Sequence, residues 1–194
     1  EGGIDALVAA WETQGGNVDA VYGRQCIADA DGAIDWDATA INDRAYFKLE
    51  PSGEQRSPLW AALTQQFPNN SMLIRRSIAA AVGYPPESDV GYHPVDLAFN
   101  IAYANRCGRH FIFLHDYVAA YRRSPTSVAR STRRGRQEDG HLIYDWLLTI
   151  RPATDDEDAA RSALLDRYAP GAVRGHLAFD RTQVAFGILR RHFR

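Results

Sequence analysis

The chain has 194 residues, 45% of them hydrophobic and 11% aromatic, and its 22 basic and 24 acidic residues leave a net charge of −2. That length supports one domain with a real core, or one domain with a small helical appendage, and excludes two fully independent domains as the expectation. No apolar run approaches the roughly 18 residues of a membrane-spanning helix, and the near-neutral charge gives no global reason to bind nucleic acid or an anionic membrane.

The amino terminus, Glu1-Gly2-Gly3-Ile4-Asp5, has neither a basic n-region nor an apolar h-region, so it reads as a cut from something longer rather than a signal peptide or a natural start. Ile4, Leu7, Val8 and Trp11 recur at helical spacing, which predicts a helix over 3–14 ended by Gly15-Gly16-Asn17. Residues 18–28 are β-rich, and Asp29-Ala30-Asp31-Gly32 has the Asp-Gly signature of a hairpin leading to a second strand, Ala33-Ile34-Asp35-Trp36. Residues 37–57 are polar and read as an excursion. A short helix is expected from Pro58, broken at Phe67-Pro68, then a strand at Met72-Leu73-Ile74 and a helix over 77–82 closed by Gly83. After a loop over 84–91, the strongest helical pattern runs from Pro94 to Arg106, capped by Gly108. Phe111-Ile112-Phe113-Leu114 predicts a buried strand and 117–121 a second extended segment. A basic loop follows, with Arg122, Arg123, Arg130, Arg133, Arg134 and Arg136, and then helices over about 140–150, 156–169 and 180–193, separated by Pro152 and Pro170-Gly171.

Cys26 and Cys107 have no partner at metal-ligand spacing, and no two of the six histidines stand four apart on a credible helix face, so neither zinc nor a disulfide framework is indicated and a reducing, cytoplasmic setting is expected. Lys48 is the only lysine, a bias of composition from which no function follows. Asp29-Ala30-Asp31 is a literal Asp-x-Asp, but Asp-Gly after an alternating strand has its own mechanism as a turn, and no metal site is assigned to it. No aromatic residue interleaves the arginines between 122 and 143, which argues against nucleic-acid stacking there.

Several strings, in order, resemble the family 2 inverting glycosyltransferases of the GT-A fold: Val21-Tyr22-Gly23, Asp29-Ala30-Asp31-Gly32, Leu73-Ile74-Arg75-Arg76, Val82-Gly83-Tyr84, Val95-Asp96-Leu97, and Tyr121-Arg122-Arg123-Ser124-Pro125-Thr126-Ser127. The match covers about residues 1–130, with Val95 where the family has Glu and Ser124 where its tail motif has His. The resemblance implies an α/β fold with a GT-A-like mixed sheet, partial because the nucleotide-binding half is absent from the chain, and C-terminal helices. Residues 1–130 would be the acceptor-side portion and 131–194 a helical segment.

The activity implied is transfer of a sugar from a nucleotide-sugar donor to a hydroxyl acceptor, saccharide or lipid-linked, with inversion and with Mg or Mn as the metal, whose ligand motif is not in this chain. Asp96 would be the catalytic base, although a carboxylate in the first turn of a helix is equally a cap. Arg122 and Arg123 would contact the diphosphate, a role that suits guanidinium forks, whereas a solvated loop explains Arg130 to Arg136. Asn70 and Arg75 would line the acceptor pocket, the alternative for Asn70 being a turn former. The rival from another class is a non-catalytic, degenerate transferase-like module for acceptor binding or assembly. A sheet cut at the donor half would leave an unpaired edge, which makes a homo-oligomer the expected remedy.

Overall fold

The computed structural model describes residues 2–91, 94–124 and 140–193. The chain divides into two compact units, Glu1–Gly83 with Asn100–Ser127, and Tyr84–Phe99 with Val128–Arg194, so the division falls inside one helix. It is an α/β protein with one open, four-stranded mixed sheet and C-terminal helices.

The first unit opens with helix α1 (Gly3–Thr13), after which Gly15 and Gly16 take φ of 58° and 69°, the left-handed values that end a helix without cost only at glycine. Strand β1 (Ala20–Ala28) is central. It runs parallel to β4 (Phe111–Arg122) and antiparallel to β3 (Met72–Ile74), while β2 (Gly53–Glu54) lies antiparallel on the outer side of β4, giving the order β2-β4-β1-β3. Both edges are therefore very short strands, which offer little backbone for another chain to pair with.

Strand alternation separates two faces. Tyr22, Phe111 and Phe113 share one face and pack with Phe67, whose ring lies 5.2 Å from Tyr22 and 4.8 Å from Phe111. Val21 and Ile112 point to the other, where Leu7 of α1 and Val18 complete a second apolar cluster. Tyr22 is fully buried, and its hydroxyl donates to Gln66 Oε1, so the ring fills the core without leaving a stranded polar atom.

Three expectations for this unit are corrected. The hairpin turn forms: Asp29 N donates to Ala33 O at 2.9 Å, Asp29 Oδ1 accepts from the amides of Asp31 and Ala33, and Gly32 takes φ 94°. The returning strand, however, shrinks to a single bridge between Ala28 and Ile34, because Asp35 caps the next helix, its Oδ1 accepting from Ala38 N at 2.8 Å. That helix, α2 (Trp36–Ala45), occupies much of what reads as a polar excursion. The segments 111–114 and 117–121 form one twelve-residue strand; register shifts opposite Gly23–Gln25 absorb its polar middle, His115-Asp116. Helix α3 (Pro58–Leu63) begins with Pro58 behind a Ser57 cap, and α4 (Arg76–Val82) follows β3 directly.

The second unit contains the four-residue helix α5 (Glu87–Val90), within the expected loop, and the start of α6 (Val95–Arg106), whose later half belongs to the first unit. Helices α7 (Gly140–Thr149), α8 (Asp155–Ala178) and α9 (Thr182–His192) make up the rest. Pro170 does not end a helix as expected; α8 runs through it for 24 residues. A mid-helix proline costs roughly 3 kcal/mol, but the buried face continues on both sides of it, with Leu164, Leu165 and Ala169 before and Ala172, Gly175 and His176 after. Tertiary packing outweighs the local penalty. Gly140 meets Gly171 with only 3.3 Å from its Cα to the position of a Cβ there, and a Cβ on Gly175 would lie 2.5 Å from His141 Nδ1, so α7 and α8 touch through glycines. Tyr144 OH and Asp166 Oδ1 flank the His192 ring at 2.8 and 2.5 Å, tying α9 to both neighbours.

Candidate functional site

The carboxyl ends of the parallel strands β1 and β4 coincide. Ala28 stands opposite Arg122, and Arg123 N donates to Ala28 O at 2.8 Å. The Asp29–Gly32 turn starts at the same point, so exposed Arg122 and Arg123 stand beside a turn carrying two carboxylates. In open α/β sheets the carboxyl end of parallel strands is where ligands bind, because the chain there is in loops rather than paired. The remainder of the tail motif, Pro125 to Ser127, and Arg130 to Arg136 lie outside the described residues.

Arg75 lies at the other end. It follows Ile74, which pairs with Ala20 at the start of β1, so some eight residues of strand, roughly 26 Å, separate it from Arg122. Its guanidinium is committed to the protein: Nε donates to Asp19 Oδ1 at 2.9 Å, and Nη2 to Gly16 O at 2.8 Å and Val18 O at 2.6 Å. Asp19 is buried and its other oxygen accepts from the amides of Gly108 and Arg109, both at 3.0 Å. Tyr103 OH donates to Asp19 O at 2.6 Å and accepts from Arg75 N at 2.9 Å. This knot joins the end of the α1–β1 connection to β3 and to the turn after α6. Burial, foremost, pushes the neighbouring Cys107 thiol up to about 12, helped by the Asp19 charge, so it is held as an unreactive thiol.

Asn70 is exposed in the turn before β3, whereas both polar side-chain atoms of its neighbour Asn69 are buried without a hydrogen-bond partner. Asp96 belongs to the second unit and is exposed in the first turn of α6. In that unit Tyr84 stacks on Phe99 at 4.5 Å, and its hydroxyl is pushed up first by burial and then by the Asp96 charge, which puts this carboxylate within electrostatic reach of the tyrosine.

The sequence reading missed a charged cluster under α2. Phe47 takes φ 55° after the helix, and Lys48 N donates to Asp43 O at 2.8 Å, which folds the chain back and sends the only lysine inward to 0% exposure. Asp43, 2% exposed, accepts at Oδ2 from Tyr117 OH at 2.8 Å and from Arg24 Nη1 at 3.4 Å, and the Arg24 guanidinium lies 3.9 Å from the centre of the Tyr117 ring. Lys48 Nζ, Asp43 Oδ1 and Arg24 Nε are buried without a hydrogen-bond partner. Burial lowers the Lys48 pKa to about 8; Asp43 opposes that shift and Arg24 adds to it. The signal available was the isolation of Lys48 among arginines, within a segment otherwise read as an excursion.

Among the described residues no group of three or more His, Cys, Asp or Glu side chains is placed to hold a metal ion. Asp29 in particular spends Oδ1 on the amides of its own turn. Nor is any described helix long and apolar enough to cross a membrane. No family model matches the chain, and no curated protein or solved structure matches it.

Proposed function

We propose that the chain is the acceptor-side part of an inverting glycosyltransferase of the GT-A type, moving a sugar from a nucleotide donor to a hydroxyl acceptor. The observation that carries the reading is the coming together of separate strings. Val21-Tyr22-Gly23, Leu73-Ile74 and Tyr121-Arg122 lie up to about a hundred residues apart, yet they occupy three adjacent strands, with Val21 opposite Leu73 and Ile27 opposite Tyr121. The Asp29–Gly32 string is the turn at the carboxyl end of that set.

In the proposed reaction Asp96 takes the proton of the acceptor hydroxyl as its oxygen attacks the anomeric carbon, and the bond from that carbon to the diphosphate oxygen breaks. Arg122 and Arg123 would balance the charge that gathers on the diphosphate. Mg or Mn is part of the resemblance, but the described carboxylates do not form a holder for either ion, and no step here depends on one. Exposed Asn70 would contact the acceptor, and Arg75 would serve by fixing β3 rather than by touching substrate.

The test is consumption of UDP- and GDP-sugars by the full-length protein in the presence of hydroxyl acceptors. Asp96→Asn should lower kcat about 10²-fold or more with little change in KM for the donor. An unchanged kcat in that variant, or no turnover with any donor, would overturn the reading. The second reading, a non-catalytic acceptor-binding module, draws on the commitment of Arg75 to Asp19, and saccharide binding without turnover would select it.

A further inference from the structure

We propose that Lys48, Arg24 and Asp43 form an internal site for one phosphate group held as a monoanion, either dihydrogen phosphate or a monoester that keeps one P–OH, an oxyanion that brings a hydroxyl of its own. The site uses none of the residues assigned to sugar transfer and stands or falls separately.

Three buried polar atoms lack partners: Lys48 Nζ and Arg24 Nε, which can only donate, and Asp43 Oδ1, which can only accept while ionised. Two cations face one carboxylate, so the cluster carries an excess positive charge in a place where Lys48 has no solvent contact and Asp43 almost none. A buried cluster whose one carboxylate is shared by two cations, leaving a positive charge in excess, is costly for a fold to hold. With its pKa lowered only to about 8, Lys48 remains mostly charged at neutral pH and does not escape that cost by losing its proton. A water molecule could bridge Lys48 and Asp43, yet it would leave the charge uncompensated.

A phosphate monoanion, with at least one P–OH and two unprotonated oxygens, meets all three needs at once. Its unprotonated oxygens accept from Nζ and Nε, its hydroxyl donates to Asp43 Oδ1, and its negative charge cancels the excess. A carboxylate or sulfate supplies acceptors but no donor, and would set its oxygens against Asp43. Of the three residues Arg24 is the one that reaches solvent, with 14% of its side chain exposed. It stacks on half-exposed Tyr117, which in turn stands edge-on to exposed Trp36 at 5.6 Å, so the approach runs past this aromatic ledge.

Because Lys48 is the only lysine, labelling lysine with ¹³C at Cε yields one resonance that reports its titration directly. Without phosphate the midpoint should fall at about 8. Saturating inorganic phosphate should move it up by about one pH unit or more, as an opposite charge at contact does, and raise the melting temperature; sulfate and acetate at equal ionic strength should do neither. Movement with glycerol 3-phosphate but not with inorganic phosphate would assign the site to a phosphate ester and still support it. A midpoint unmoved by both phosphates, or moved equally by sulfate, overturns the proposal. Lys48→Met should abolish the phosphate-dependent rise in melting temperature, and if that variant does not fold, the wild-type resonance alone decides.

Discussion

Asp19→Asn tests whether the Arg75 knot holds the first unit together. The substitution keeps the volume of the side chain but replaces one oxygen by an NH₂. Asp19 accepts three N–H groups, from Arg75 Nε, Gly108 and Arg109, and the asparagine has oxygen for one side of that arrangement only. The least costly rotamer keeps the two backbone donors on oxygen and turns the NH₂ against the guanidinium, so one charge-assisted hydrogen bond is lost and two donors meet. Such a bond contributes about 1.5–3 kcal/mol. Arg75 is 31% exposed and can recover part of this from water, which brings the expected loss to about 2 kcal/mol. For a chain of this size that is a fall in melting temperature of roughly 4–8 °C. Urea unfolding followed by circular dichroism would measure the loss, and a double-mutant cycle with Arg75→Met would isolate the pair, with an expected coupling of about 1 kcal/mol or more. A loss below about 0.5 kcal/mol, or strictly additive effects, would refute the assignment of Arg75 to structure and return it to candidacy as a substrate contact.

Glycine substitutions in the second unit should have opposite signs. Gly175→Ala places a methyl 2.5 Å from His141 Nδ1 and should destabilise by about 1–3 kcal/mol, whereas Gly187→Ala meets nothing within 4 Å and should stabilise by about 0.5–1 kcal/mol through helix propensity, both read by thermal melts. Asp35→Ala removes the cap on α2 and should cost about 1 kcal/mol in urea unfolding. Lys48 predicts a pH dependence whose sign follows from linkage: its folded pKa, about 8, lies below the ordinary lysine value of 10.5, so the unfolded chain holds more protons between them and the fold gains stability as pH rises through that window. The difference in stability between wild type and Lys48→Met should therefore shift in favour of wild type from pH 7 to pH 10 in phosphate-free buffer, and a flat difference would show that Lys48 does not titrate as a buried group.

Local signals made α1, β1, α3, β3, α4 and α6 legible, because each carries its own punctuation: Gly15-Gly16 after α1, Pro58 at the head of α3, Gly83 after α4. The misreadings arose where a local signal competed with a later one or with packing. Asp31-Gly32 announces a hairpin, but Asp35, three residues on, caps a helix before a second strand can form. Pro170 is a breaker in isolation and a passenger in α8, whose apolar face is held on both sides. His115-Asp116 divides an apolar run in sequence but falls where β4 slips register against β1. Arg122 and Arg123 could be singled out from their motif, and they do meet the Asp29 turn. The Lys48 cluster shows in the sequence only as one lysine isolated among arginines; its partners are set by the chain doubling back after α2, which places Asp43 against Arg24 and Tyr117.

The central pairing of β1 with β4 also dictates an order of events during synthesis. Cys26 and Ala119, in contact across these strands, are 93 positions apart, and Asp19 finds its backbone donors 89 and 90 positions downstream. A nascent chain that has made β1 must carry its apolar residues past α2, α3, β3 and α6 before the parallel neighbour emerges. Closing so long a loop is slow, and until it closes the strand is open to unwanted pairing. The first unit is thus expected to fold after nearly two thirds of the chain has left the ribosome, with a folding rate nearer to that of non-local β proteins than of helical ones. The second unit, drawing α7, α8 and α9 from consecutive sequence, has no such wait for those helices.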